Sequence, residues 1–178
     1  AATFCLATLL SPRPASAQEQ SDPVLAETLF RQGRAAIEAG DLATACPKFS
    51  QSYRLDPAPG TLLNLADCEE RRGQLASAWQ HFIALRDTLA PNDDRRDLAQ
   101  KRADAVAARL PKLRILLAKG TPEGARILRD GAPVDPAAIG VAVPVDPGAH
   151  VLVLRAPDRA DSSTKITLSL SQQKEITL

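Results

Sequence analysis

Methionine is absent from this 178-residue chain, and aromatic side chains are scarce: four Phe, one Trp and one Tyr. That excludes an interior built on large rings or adaptable thioethers. Ala, Leu and Val must fill the core, and such small side chains suit closely packed helices while burying less apolar area each. An excess of either charge is also missing, with 22 Lys+Arg against 21 Asp+Glu. This balance argues against a nucleic-acid footprint, which needs basic residues gathered on one face. No acidic or basic tail is present. The signatures of chemistry are missing as well: no G-x-S-x-G, no P-loop, no G-x-G-x-x-G and no H-E-x-x-H. There is no C-x-x-C, and the two His lie far apart. The sequence therefore predicts no enzyme, no cofactor and no metal site.

What is present begins with an apolar run, Ala1 to Leu10, interrupted only by two Thr. It is too short to span a bilayer, and nothing later is long and apolar enough to do so. Ser11-Pro12-Arg13-Pro14 breaks the run, and Ala15-Ser16-Ala17 follows as an A-x-A cleavage site before Gln18-Glu19-Gln20. Residues 1–17 thus read as a signal peptide with a truncated start, followed by a linker at 18–23. Export to the periplasm or the cell surface follows. Removing residues 1–17 takes away Arg13 and no acid, leaving 21 basic and 21 acidic residues. Such a chain has no bulk attraction to an anionic surface.

From Pro23 to Leu110 apolar positions recur at helical spacing, with Gly at the turns. Two stretches align at an offset of 33: Leu29 on Leu62, Gly33 on Ala66, Gly40 on Gly73, Leu42-Ala43 on Leu75-Ala76, Ala45 on Ala78, and Phe49 on Phe82. The pattern predicts a helix–turn–helix unit used twice. Gly40 and Gly73 end the first helices, the small residues let helices approach, and Phe49 and Phe82 fill the space between units. Asp56-Pro57 closes the second helix, and Pro47 sits inside it, where a kink is expected. A further helix is expected from Asn92 as N-cap to Leu110, stopped by Pro111. Leu98, Val106 and Leu110 form its stripe, with Ala99, Ala103 and Ala107 beside them.

Gly33, Ala45, Phe49 and Pro57 fall on the Gly, Ala, aromatic and Pro positions of the tetratricopeptide repeat, counted from Ala26. Ala66, Ala78 and Phe82 repeat three of them, counted from Pro59. Residues 24–90 therefore resemble that family, although Leu29, Ala36, Leu62 and Glu69 stand where its first-helix aromatics are usual. The resemblance implies a concave groove lined by the first helices. Carried over position by position, it would offer Phe30, Arg34, Leu63, Asn64, Asp67 and Arg71. Asn64 falls where peptide-binding members often hold a ligand's backbone, and Arg34 and Arg71 suit a carboxylate or an acidic segment.

Cys46 and Cys68 are the only cysteines after residue 17. They lie nearly level on two helices that run antiparallel around the Asp56–Pro59 turn. Two states fit: a disulfide, as an oxidising compartment favours, or two buried thiols. His81 reads as a surface or edge histidine and His150 as a turn hydrogen-bonder. The Asp93-Asp94-Arg95-Arg96-Asp97 run reads as a self-paired helix start, and Glu69-Glu70-Arg71-Arg72 as a solvated face.

At Pro111 the period changes to two. Leu113, Ile115 and Leu117, then Val141, Val143 and Val145, then Ile166, Leu168 and Leu170 alternate between turn signals at Asp130-Gly131 and Asp146-Pro147-Gly148. This predicts a small antiparallel sandwich over 112–178. Pro122-Glu123-Gly124-Ala125, then Asp130-Gly131, then Pro147-Gly148-Ala149-His150 stand in an order that resembles the PEGA domain of bacterial envelope proteins. The Gly-aromatic pair often seen after the later strand is missing at Arg155-Ala156-Pro157-Asp158.

The expected class is α+β in two domains: tetratricopeptide-like hairpins with a capping helix at 24–110, and a PEGA-like β domain at 112–178. Together the two resemblances are similar to envelope proteins of myxobacteria-like bacteria. They imply a non-catalytic adaptor whose partners are an envelope protein or peptide and, at the β domain, an envelope component such as a cell-wall polymer. A structural spacer or self-assembling surface component is the alternative.

Overall fold

The structure, a computed structural model, describes residues 21–178. The signal peptide read at 1–17 and the first part of the linker lie outside the described residues. Helices α1 (Pro23–Glu38), α2 (Leu42–Leu55), α3 (Pro59–Arg71), α4 (Leu75–Thr88) and α5 (Asp94–Ala107) come first. They pack in chain order, α1 on α2, α2 on α3, α3 on α4 and α4 on α5. Short strands and one 3-10 turn at Pro136–Ala138 follow, so the architecture is α+β in two parts.

The helix boundaries follow from local chemistry. Asp22 accepts the Leu25 N–H at 2.9 Å and Pro23 opens α1, where its missing N–H costs nothing. Gly40 and Gly73 close the first helix of each hairpin at φ +75° and +80°, which a side chain would resist. The offset of 33 is visible in the packing. Ala45 and Ala78 are fully buried, and so are Phe49 and Phe82. Helix α2 continues through Pro47. Pro47 and Ala43, whose carbonyl lacks its helical donor there, are both exposed, so water can satisfy that carbonyl.

Two details of the fifth helix differ from the sequence reading. Its N-cap is Asp93, not Asn92, because the Asp93 carboxylate accepts the Arg95 N–H at 3.0 Å and also pairs with the Arg95 guanidinium. Leu98 does not face the core; it is 44% exposed, whereas Ala99, Ala103 and Val106 are fully buried. The surface α5 covers is that of α4: Ala103 and Val106 share a buried cluster with Ala78 and Phe82, and Ala99 shares one with Leu85. The helix itself ends at Ala107, and a turn carries the chain through buried Leu110 to buried Pro111.

The β part has strands β1 (Lys112–Leu116), β2 (Arg126–Arg129), β3 (Ala132–Pro133), β4 (Ala142–Pro144), β5 (Gly148–Arg155), β6 (Ser162–Leu168) and β7 (Gln173–Thr177). One sheet has the order β4-β1-β7 and the other β3-β2-β5-β6. Leu113, Ile115, Ile127, Leu152, Ile166 and Leu168 from both sheets share one buried cluster. The expectation of a purely antiparallel arrangement is corrected at one ladder: β1 and β7 run parallel. Ser171 explains this. Its N–H donates to Arg109 O and its hydroxyl to Ala108 O, both at 2.8 Å. The chain therefore enters β7 beside the start of β1, and the two strands point the same way. Among the described residues, no helix is long and apolar enough to cross a membrane.

Candidate functional site

The six residues expected to line the groove fall into three pairs. Phe30 and Leu63 are half-buried and belong to the packing. Phe30 tilts against Phe49 with ring centroids 5.7 Å apart, and Leu63 leans on the clusters formed with α4 and α5. The Asn64 amide donates to Gly60 O of its own helix at 2.8 Å. The Asp67 carboxylate accepts from the Arg102 guanidinium at 2.7 Å, which ties α3 to α5. Arg34 and Arg71 are exposed, and neither side chain has a hydrogen bond or ion pair among the described residues. No such bond links Phe30 or Arg34 of α1 to the four residues on α3 either.

An arginine that the sequence reading left out organises the α3–α5 face. Arg102 sits over the Phe82 ring, 4.9 Å from its centroid, and one of its nitrogens also reaches Glu70 at 2.8 Å. Arg109 reaches the other Glu70 oxygen at 2.9 Å. Burial works against the Arg102 charge, yet its bonds to Glu70 and Asp67 raise its pKa. A cation on a ring and between two carboxylates is a structural clamp. Glu70 is therefore more than a solvated face, and only the position of α5 reveals this.

His81 is half-buried, with Nδ1 2.7 Å from a Glu69 oxygen, which joins α4 to α3. A carboxylate–imidazole pair can position a proton, but a nucleophile or metal would need further groups beside it. Among the described residues, no cluster of three or more His, Cys, Asp or Glu could hold a metal ion. Cys46 and Cys68 form a disulfide with their Cα atoms 5.5 Å apart, compatible with the first of the two states read from the sequence.

A cleft of about 340 Å³ between the two parts is lined by Trp79 and Gln80 of α4 and by Arg129, Pro133, Asp135 and Pro144 of the β part. A smaller recess of about 250 Å³ continues past Trp79 to Leu110 and Lys112. The only Trp of the chain thus stands half-buried at the junction, beside one cation and one acid. No periodicity in the sequence marks the cleft, because its two walls lie about 50 residues apart, from Trp79 to Arg129.

The junction itself is polar and specific. Asp146 Oδ1 accepts the Ala76 N–H of α4 at 2.7 Å. His150, only 8% exposed, has Nε2 2.8 Å from Asp146 O and Nδ1 2.7 Å from Asp130 Oδ2. Asp130 stands in the two-residue turn with Gly131, both at positive φ, between β2 and β3. The Pro122-Glu123-Gly124-Ala125 motif forms another turn, closed by Ala125 N–H to Pro122 O at 3.3 Å. No protein-family model matches this sequence, and no curated protein matches it either.

Proposed function

We propose that this protein is a non-catalytic binding protein of an exported compartment. In this reading α1–α5 are a tetratricopeptide-like module that takes a protein or peptide partner. The β part is a PEGA-like module that docks to an envelope component. The observation that carries the reading is the contrast within the groove set. Asn64 and Asp67 are engaged within the fold, while Arg34 and Arg71 project from the first helices of two units with no partner among the described residues. Two such cations suit an acidic or C-terminal carboxylate segment. The disulfide supports an oxidising compartment.

The test is cross-linked capture from a native bacterial envelope, using the full chain and its Arg34→Ala/Arg71→Ala variant. Loss of a discrete protein partner in the variant supports the groove. Equal capture by both proteins rejects it.

The open edge of the second sheet favours a second reading. Among the described residues, strand β6 presents seven residues with no strand on its outer side. An unpaired edge of this length is a template for self-association, as a spacer or surface component needs. Light scattering that finds a monomer at high concentration would remove that alternative.

A further inference from the structure

The two helical hairpins differ at one equivalent position. Asp41 caps α2, its carboxylate accepting the Thr44 N–H at 3.0 Å. The residue 33 places on is Gln74, the N-cap of α4, and its side chain makes no capping bond. The missing carboxylate comes from the β part instead: Asp146 Oδ1 accepts the Ala76 N–H at 2.7 Å across 70 residues of sequence. The free N–H groups of a helix start attract a negative charge, so the second unit offers a vacancy that the β part fills.

Asp146 is held in place by its own turn. Its carbonyl oxygen faces His150 Nε2 at 2.8 Å, while His150 Nδ1 faces Asp130 Oδ2 at 2.7 Å. The other Asp130 oxygen accepts the Val151 N–H at 2.8 Å. Burial opposes the Asp130 charge, but the bonds from His150 and Val151 hold its carboxyl below the ordinary value. Both neighbours of the ring are therefore acceptors, one a carbonyl and one a carboxylate. Two acceptors require two N–H donors, and only the imidazolium carries both. The charged groups the contacts bring to the ring are Asp130 from the β2–β3 turn, through its carboxylate, and Asp146 from the turn before β5, through its backbone carbonyl, while Arg129 of β2 acts on Asp130. The β6 residue paired with His150 is the neutral Ile166, and α4 contributes the Ala76 amide.

We propose that Asp146 is a helix cap supplied across the boundary between the two parts, and that the second proton on His150 keeps this lock closed. When that proton leaves, the remaining N–H stays on the Asp130 carboxylate, the stronger acceptor. Nε2 then turns a lone pair toward the Asp146 carbonyl, and the contact becomes repulsive. The Asp146-Pro147-Gly148 turn shifts, and α4 loses its acceptor at Ala76. The sign is fixed by this chemistry: the junction is tight while both ring nitrogens carry protons and loosens when one is lost. The Trp79 cleft, which has one wall on each part, widens or reshapes with it.

NMR on the full chain tests the lock between pH 5 and 9. At pH 5 the ring ¹⁵N shifts of His150 should report two protonated nitrogens. Protection of the Ala76 amide, corrected for intrinsic exchange, should fall about fivefold as one proton is lost, the scale of a removed cap. Asp146→Ala should lower that protection by a similar factor at every pH. Adding Gln74→Asp to Asp146→Ala should protect the Ser77 amide, the equivalent of Thr44, independently of His150, which distinguishes a lost cap from a damaged fold. A singly protonated ring at pH 5 would overturn the proposal. So would Ala76 protection that is the same with and without the Asp146 carboxylate.

Discussion

A Cβ placed on Gly33 would lie 2.7 Å from Cε1 of Phe49, so α1 and α2 meet as bare backbone against a ring. Phe49 is fully buried and leans on Phe30, so the ring cannot swing into solvent. Gly33→Ala gains about 1 kcal/mol in helix propensity. Overpacking a filled core costs about 1–3 kcal/mol, and a contact this short puts the cost toward the upper end. The expected result is a net loss of about 1–2 kcal/mol, read as a lower urea midpoint. Gly60→Ala is the control, since a Cβ there meets nothing within 4 Å; it should hold or raise the midpoint. An unchanged midpoint for Gly33→Ala would mean that the helices do not pack this closely.

The disulfide spans 22 residues and pins α2 to α3, the contact that joins the two hairpins. A cross-link closing a loop of this size restricts the unfolded chain by about 3 kcal/mol. That is a large share of a typical domain stability of about 5–15 kcal/mol. Reductant should therefore lower the unfolding midpoint of the wild-type chain. The same reductant should leave a Cys46→Ala/Cys68→Ala variant, which starts from the lower value, unmoved. Equal insensitivity in both proteins would show free thiols in solution.

Acid should weaken the fold through its helix caps. Arg95, by its side-chain and then its backbone hydrogen bond, lowers the Asp93 carboxyl to about 2. Thr44 lowers Asp41 in the same way. An unfolded Asp titrates at about 3.9. A carboxyl with a lower folded pKa contributes stability above that value and loses it as pH falls through the folded value. The thermal midpoint should therefore hold from neutral pH to about 4 and then drop toward pH 2. Asn caps a helix about as well as Asp without titrating, so Asp41→Asn/Asp93→Asn should flatten that acid limb. An identical limb in the variant would assign the acid loss to other groups.

Much of this molecule is local in origin and could be read directly from the sequence. The offset of 33 foretold α2 and α4, because Gly40 and Gly73 need the positive φ that ends a first helix and because Phe49 and Phe82 recur in one register. Pro111 and the change of period from 3.6 to two foretold where helices give way to strands, since a side chain's face depends only on its own backbone geometry. The Asp130-Gly131 turn was equally legible, as few other pairs accept two positive φ values in succession. Other features are contacts between segments far apart in the chain, and no local propensity encodes them. Whether Leu98 or Ala99 faces inward depends on how close α4 comes to α5. The parallel pairing of β7 with β1 depends on Ser171 reaching the carbonyls of Ala108 and Arg109. The engagement of Asp67 depends on Arg102, 35 residues away. The cap on α4 depends on Asp146, whose turn looks like any other Asp-Pro-Gly turn until the β part is set against Ala76. The sequence by itself determined the elements and their repeat, because those rest on backbone preference and side-chain period. Only the tertiary structure decided which polar groups remain free to meet a partner, because that depends on which donors and acceptors the fold has already paired.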